Sequence, residues 1–228
     1  MLVVRVDGVQ PQCPYQESRL NTTASLVDLV IDDIEKGTLQ KRNLVWLELN
    51  GCSGNIISLL DGQNPGFQYL ISQMTNFIYN NSLAASEGGA AMDQLFRIIG
   101  SDYILAVEGA VAQKNGGAYQ IVGKYQGKAV TGLEAVKRLG ESAAHGGISA
   151  ARPNPSQSTG IQKVLDKKVI KLPGCPCHPD WFMGTLAYLL LYGEPPLDRR
   201  DRPLMFYSTT IHDRCPRRSY FDRGVFAN

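Results

Sequence analysis

At 228 residues with 43% hydrophobic composition, the chain is long enough to bury a real core, as one large domain or one domain with an appendage. Its formal charge of +2, without a Lys/Arg run interleaved with aromatics, excludes the nucleic-acid-binding class. The longest apolar run, Phe182 to Tyr192, is about half of the ~20 residues a membrane span requires, and it reads as a core helix.

The first residues, Met1-Leu-Val-Val-Arg-Val-Asp7, show no basic region leading into an apolar stretch and no twin-arginine leader, which points to the cytoplasm. Residues 1–20 read as a short strand and then an irregular arm holding Cys13, a stray thiol. Ser25 with Asp28 suggests a capping box, and Leu26, Leu29, Val30 and Ile34 recur at helical spacing until Gly37. Leu44 to Leu49 is a nearly continuous apolar run, the signature of a central parallel strand covered on both faces. It stops in the turn Asn50-Gly-Cys-Ser-Gly54 before a short helix, so Cys52 stands at the carboxyl end of a strand, where open α/β sheets place their ligands.

A helix is expected over 67–74, a second strand over 76–79, and a helix from Gly88 to Ile99. Tyr103 to Val107 forms a third buried strand, and its terminal Glu108 reads either as a functional carboxylate at a strand end or as a solvated or backbone-bonded loop residue. The Gly-rich polar segment 113–128 predicts an excursion above the sheet. The pattern of Leu133 to Leu139 is helical, with Lys137 and Arg138 needing partners or water. A Pro/Ser-rich loop fills 150–159. Val169 to Leu172 predicts a last core strand leading into Gly174-Cys-Pro-Cys-His-Pro179. A helix over 181–192 is stopped by Gly193 and Pro195-Pro196, and the Arg- and Pro-rich remainder reads as an extended wrap. No internal repeat is visible.

Five cysteines, an odd number, argue for thiols or metal ligands over disulfides. Two cysteine loops at strand ends can bring Cys52 and the Cys175/Cys177 pair to one buried centre, the pattern of an iron–sulfur site. His145, His178 and His212 have no nucleophile pattern beside them, so no catalytic residue is assigned; His178, between Cys177 and Pro179, is expected to fix the loop by hydrogen bonding, with metal contact as the alternative. The turn after Leu49 lacks a Gly-x-Gly-x-x-Gly or a Walker lysine, which argues against a nucleotide binder.

Trp46-Leu-Glu48, Cys52-Ser-Gly-Asn55, Val107-Glu-Gly-Ala110, Gly140-Glu-Ser-Ala-Ala-His-Gly-Gly-Ile148, Ala151-Arg-Pro-Asn-Pro155, Gly174-Cys-Pro-Cys-His-Pro179, Arg202-Pro-Leu-Met-Phe206 and Ile211-His-Asp-Arg-Cys-Pro-Arg-Arg218 follow one another in a familiar order. In this order the chain resembles the small, electron-transfer subunit of nickel–iron hydrogenases, over roughly residues 40–228. The resemblance implies a flavodoxin-like α/β fold, an open and mainly parallel sheet with helices on both faces, plus an extended C-terminal tail. It divides the chain into an arm and helix over 1–40, the cluster-bearing domain over 41–190, and a remnant of a cluster domain over 191–228.

The resemblance further implies one [4Fe-4S] cluster held from the positions of Cys52, Asn55, Ser142 and Cys175, of which two are cysteines. Ser142 is a poor substitute for a thiolate, and Cys177, Glu141 or His145 are candidates to compensate. His212 and Cys215 stand where the family has two metal ligands of an outer cluster, without the partner cysteines of that site. The resemblance also implies that this chain holds no nickel, that its partner is the hydrogenase large subunit, joined by a further electron-transfer protein or a second copy, and that it is inactive alone. The alternative is a cluster-free paralogue acting as a scaffold, assembly factor or hydrogen-sensing partner.

Overall fold

The structure is a computed structural model that describes residues 23–63, 65–140, 153–210 and 212–225. Cys13, Glu141, Ser142 and His145 lie outside the described residues, as does the strand and arm expected over 1–20.

The chain opens on α1 (Thr23–Glu35), β1 (Arg42–Glu48) and α2 (Gly54–Leu60). A helical stretch, α3 (Phe67–Tyr69) continued by a π-helical turn over Leu70–Met74, leads into β2 (Thr75–Asn80), α4 (Gly88–Arg97) and β3 (Tyr103–Glu108). β1 is the centre of a three-stranded parallel sheet of order β2-β1-β3 among the described residues. Its register sets Trp46 beside Ala106 and Glu48 beside Glu108. Every residue of β1 from Leu44 to Glu48 is buried, as is all of β3. That is why the run carries no polar alternation: both faces are covered.

Alternation instead decides which core each side chain joins. Leu44, Trp46, Ile104 and Ala106 point to one face and pack with α1 and with α8 (Pro179–Tyr192). Val45, Leu47, Leu105 and Val107 point to the other and pack with α4, with α6 (Gly132–Gly140) and with Ile161 of α7 (Ile161–Leu165). α8 is buried from Phe182 through Leu190, and Phe182 meets the Trp46 ring edge-on at 5.0 Å. Burying a side chain of that size contributes roughly 1.5–3 kcal/mol. Thr23 Oγ1 donates to the Asp180 carbonyl at 2.8 Å, tying the start of α1 to the first turn of α8.

Several local expectations change. α1 already includes Ser25, so the Ser25–Asp28 capping box is not the helix start. Residues 113–128 form one short helical turn, α5 (Lys114–Gly117), and then a hairpin of β4 (Ile121–Tyr125) with β5 (Lys128–Thr131), antiparallel and packed on α4. Val169, Ile170 and Leu172 are buried in the first core but form no strand of the described sheet. The tail beyond Gly193 is not simply extended: it folds into α9 (Leu204–Tyr207), a 3-10 turn at His212–Arg214 and α10 (Arg218–Asp222).

The charged stretch is α6, as its own periodicity requires. Ala135, Val136 and Leu139 are buried while Lys137 is exposed. The Arg138 guanidinium lies 3.8 Å over the Phe96 ring and 3.5 Å from Glu134, so its charge is satisfied at the rim of the core.

Candidate metal-binding site

The site is built at the carboxyl ends of β1 and β3. Leu49 N donates to the Glu108 carbonyl at 2.8 Å and Asn50 pairs with Ala110, which keeps the two outgoing loops together. Gly109, at φ +89, permits that closeness: a Cβ there would sit 2.6 Å from the Asn50 carbonyl carbon and 2.7 Å from Gly51 N. Ser53 adopts the left-handed φ of 57, turning the chain sharply from the strand end into α2 and leaving Cys52 at the elbow.

The second loop comes to the same place. A Cβ added to Gly54 would lie 3.0 Å from Cys52 Sγ and 4.0 Å from Pro176 Cβ, so the Cys52 sulfur and the Cys175-Pro-Cys177 bend flank one small volume. Gly174 makes this bend tight, since its Cβ would stand 2.6 Å from Cys177 Cα. The loop then enters α8, whose N-cap is His178. Its Nδ1 accepts from Asp180 N at 3.3 Å, the loop-fixing role expected of this residue. Gly62, just past α2, lies against Pro179 at the start of α8: a Cβ there would be 3.0 Å from the proline Cβ.

The thiols differ in setting. Cys52 and Cys175 are exposed and free; Cys177 is free but only 3% exposed, within the first core. Burial pushes the Cys177 thiol up to about 12 and disfavours the thiolate that a metal needs. Beside it, the Tyr207 hydroxyl is also raised, first by burial and then by Cys177, and donates to the Pro173 carbonyl at 2.8 Å.

Asn55 is 9% exposed, and its Oδ1 accepts from Cys177 N at 2.7 Å. Its own N–H donates to Glu108 Oε1 at 3.0 Å, so Glu108 is a backbone-bonded carboxylate, 1% exposed, and its Oε2 is buried without a partner. Ser58 Oγ donates to the Cys177 carbonyl at 3.1 Å. Sequence reasoning passed over Ser58, although a residue three positions after Asn55 must share its face of α2.

The structure therefore brings Cys52 and Asn55 to the Pro176–Cys177 part of the second loop, with Cys175 next in sequence. Ser142 lies outside the described residues. His212 and Cys215 share one turn of the tail, where Cys215 N donates to the His212 carbonyl at 3.3 Å and the His212 ring meets Phe221 edge-on at 5.0 Å. Among the described residues no three His, Cys, Asp or Glu side chains group as a metal site. The exposed thiols of Cys52 and Cys175 fit two of the four donors of a cubane.

The sequence pattern of the family described as "NADH ubiquinone oxidoreductase, 20 Kd subunit" matches residues 52–189, from the first cysteine of the site to the end of the buried run of α8. The chain belongs to this family. Family members with similar sequences are hydrogenase small subunits. The chain is 33% identical to the hydrogenase-2 small chain of Escherichia coli (strain K12), covering 82% of this chain and 53% of that protein. It is 33% identical to the periplasmic [NiFe] hydrogenase small subunit of Solidesulfovibrio fructosivorans, covering 81% and 61%. It is 35% identical to the uptake hydrogenase small subunit of Azotobacter vinelandii, covering 83% and 56%. The chain thus spans about half the length of these relatives. A reduced, active Ni-Fe-Se hydrogenase from Desulfomicrobium baculatum has a similar fold, with a TM-score of 0.74 and 29% identity over 83% of this chain and 78% of that one. The parallel sheet with helices on both faces is the architecture this likeness entails. No helix among the described residues is long and apolar enough to cross a membrane.

Proposed function

We propose that this chain is the electron-transfer small subunit of a nickel–iron hydrogenase, holding one iron–sulfur cluster through Cys52 and Cys175 and docking on a large subunit that carries the nickel. The observation behind this reading is the convergence of the Cys52 sulfur and the Cys175-Pro-Cys177 bend around the side-chain-free Gly54. Bound there, a cluster would supply one-electron transfer. This chain's own part is to present two accessible thiols from loops fixed by β1, β3 and α8. Ser142 is proposed as a third position of the set. His212 and Cys215 offer two donors toward an outer metal, to be completed from outside the described residues.

Ile57 and Leu60, 60% and 44% exposed on α2 beside the Cys52 turn, form an apolar flank suited to a heteromeric interface. The cytoplasm is the compartment this reading assigns to the chain.

The test is anaerobic purification of the full chain with whatever binds it, followed by iron, labile sulfide and nickel counts for each subunit. Iron and sulfide are expected with this chain and nickel with its partner, and hydrogenase activity is expected only in the complex. Cys52→Ala should remove the iron. A colourless chain that still retains the partner would overturn the electron-transfer role and leave that of a scaffold.

A further inference from the structure

Cys177 contributes no exposed sulfur, yet its peptide unit is held more closely than that of either exposed cysteine. Its N–H is taken by Asn55 Oδ1 at 2.7 Å and its carbonyl by Ser58 Oγ at 3.1 Å. Both partners stand on α2, and they lie 122 and 119 residues away in sequence. α2 is itself anchored to the sheet, since Asn55 N–H donates to Glu108 Oε1 at 3.0 Å. The Asn55 side-chain oxygen is directed at the far loop, where one of its two lone pairs takes a buried peptide N–H that would otherwise be orphaned.

We propose that Asn55 and Ser58 are positioning residues, a two-point staple that holds the Cys175-Pro-Cys177 bend against the Cys52 elbow. The staple presents Cys52 and Cys175 outward and turns Cys177 inward, so the orientation of the thiols is set by hydrogen bonds of α2. The inference concerns the metal-free chain and holds whether or not the cluster reading is correct.

The experiment is alkylation of the full chain by iodoacetamide after chelation and reduction, read site by site by peptide mass spectrometry. In the unsubstituted chain Cys177 should label far more slowly than Cys52 and Cys175. Asn55→Ala should raise labelling at Cys177 by about tenfold or more, because a buried N–H is left unpaired and the bend opens locally. Ser58→Ala should raise it by roughly threefold, because only one net hydrogen bond is lost. Cys215, on the tail, is the internal reference and should not change. Asn55→Asp, which keeps an acceptor oxygen at the same reach, should restore slow labelling at Cys177.

Unchanged labelling at Cys177 in both alanine variants overturns the staple, and so does a rise at Cys177 matched at Cys215. If Asn55→Ala does not fold, Ser58→Ala decides alone by the same criterion. Full protection of Cys177 in metal-free Asn55→Ala, combined with altered iron content after reconstitution, would make Asn55 a ligand instead. Failure of the electron-transfer reading leaves the alkylation result untouched, so the two outcomes are read separately.

Discussion

Two turns of this chain carry a cysteine beside other potential donors, and they are held in different ways. Around Cys52, hydrogen bonds reach from Asn55 to Glu108 and to Cys177, across 53 and 122 residues. Around Cys215, Thr210 bonds with Asp213, Asp213 with Arg218 and Cys215 with His212, all within five residues. The first turn is a product of the tertiary fold; the second is local chain geometry with exposed side chains. A donor residue becomes a site when strands and helices from distant parts of the chain fix its direction, so the Cys52 elbow is the proposed metal centre, and the His212–Cys215 turn has no such frame among the described residues.

The largest effect should be all-or-none. Cys52→Ser is expected to abolish bound iron in the chain purified without oxygen, while Cys215→Ser should leave the iron at the sheet site in place; equal loss in both would erase the distinction. Next comes the core beneath the elbow. Phe182→Ala should cost about 3–5 kcal/mol in chemical denaturation, since the ring is buried against Trp46. Phe221→Ala, at a ring 55% exposed on the tail, should stay within about 0.5 kcal/mol.

The backbone gives a third contrast. Gly109→Ala forces a methyl against the Asn50 backbone at a left-handed φ and should cost about 3 kcal/mol or more. Gly224 also has positive φ, +69, but nothing lies within 4 Å of its missing Cβ, so Gly224→Ala should cost only about 1 kcal/mol. The smallest of the four is Asn55→Ala, expected at roughly 1–3 kcal/mol because it strands the Cys177 N–H. Thr210→Ala, at exposed bonds on the tail, should fall near zero in the same assay.

Much of the sheet region was legible in the sequence. The unbroken apolar runs of β1 and β3 announce strands covered on both sides, and the helical period of Leu133 to Leu139 identifies α6. His178 reads correctly as a loop-fixing residue because Pro on either side of the Cys177-His pair and an Asp at the second helical position leave it the N-cap. What was not legible depends on pairing between distant segments. The β4–β5 hairpin hides in a Gly-rich polar stretch because its strands are half-exposed and short, so neither shows a clean alternation. Of Val169 to Leu172, only Leu172 makes a β-bridge, so the apolar run reflects burial along its length more than pairing among the described residues. The engagement of Asn55 with Cys177 has no local signal, since its partner lies 122 residues on.

The contact between Gly62 and Pro179 has a mechanical corollary. It braces the end of α2 against the start of α8, the helix whose apolar flank fills the core behind β1. A partner pressing on the outer side of α2, where Ile57 and Leu60 stand, would therefore meet the start of α8 directly behind the far end of that helix.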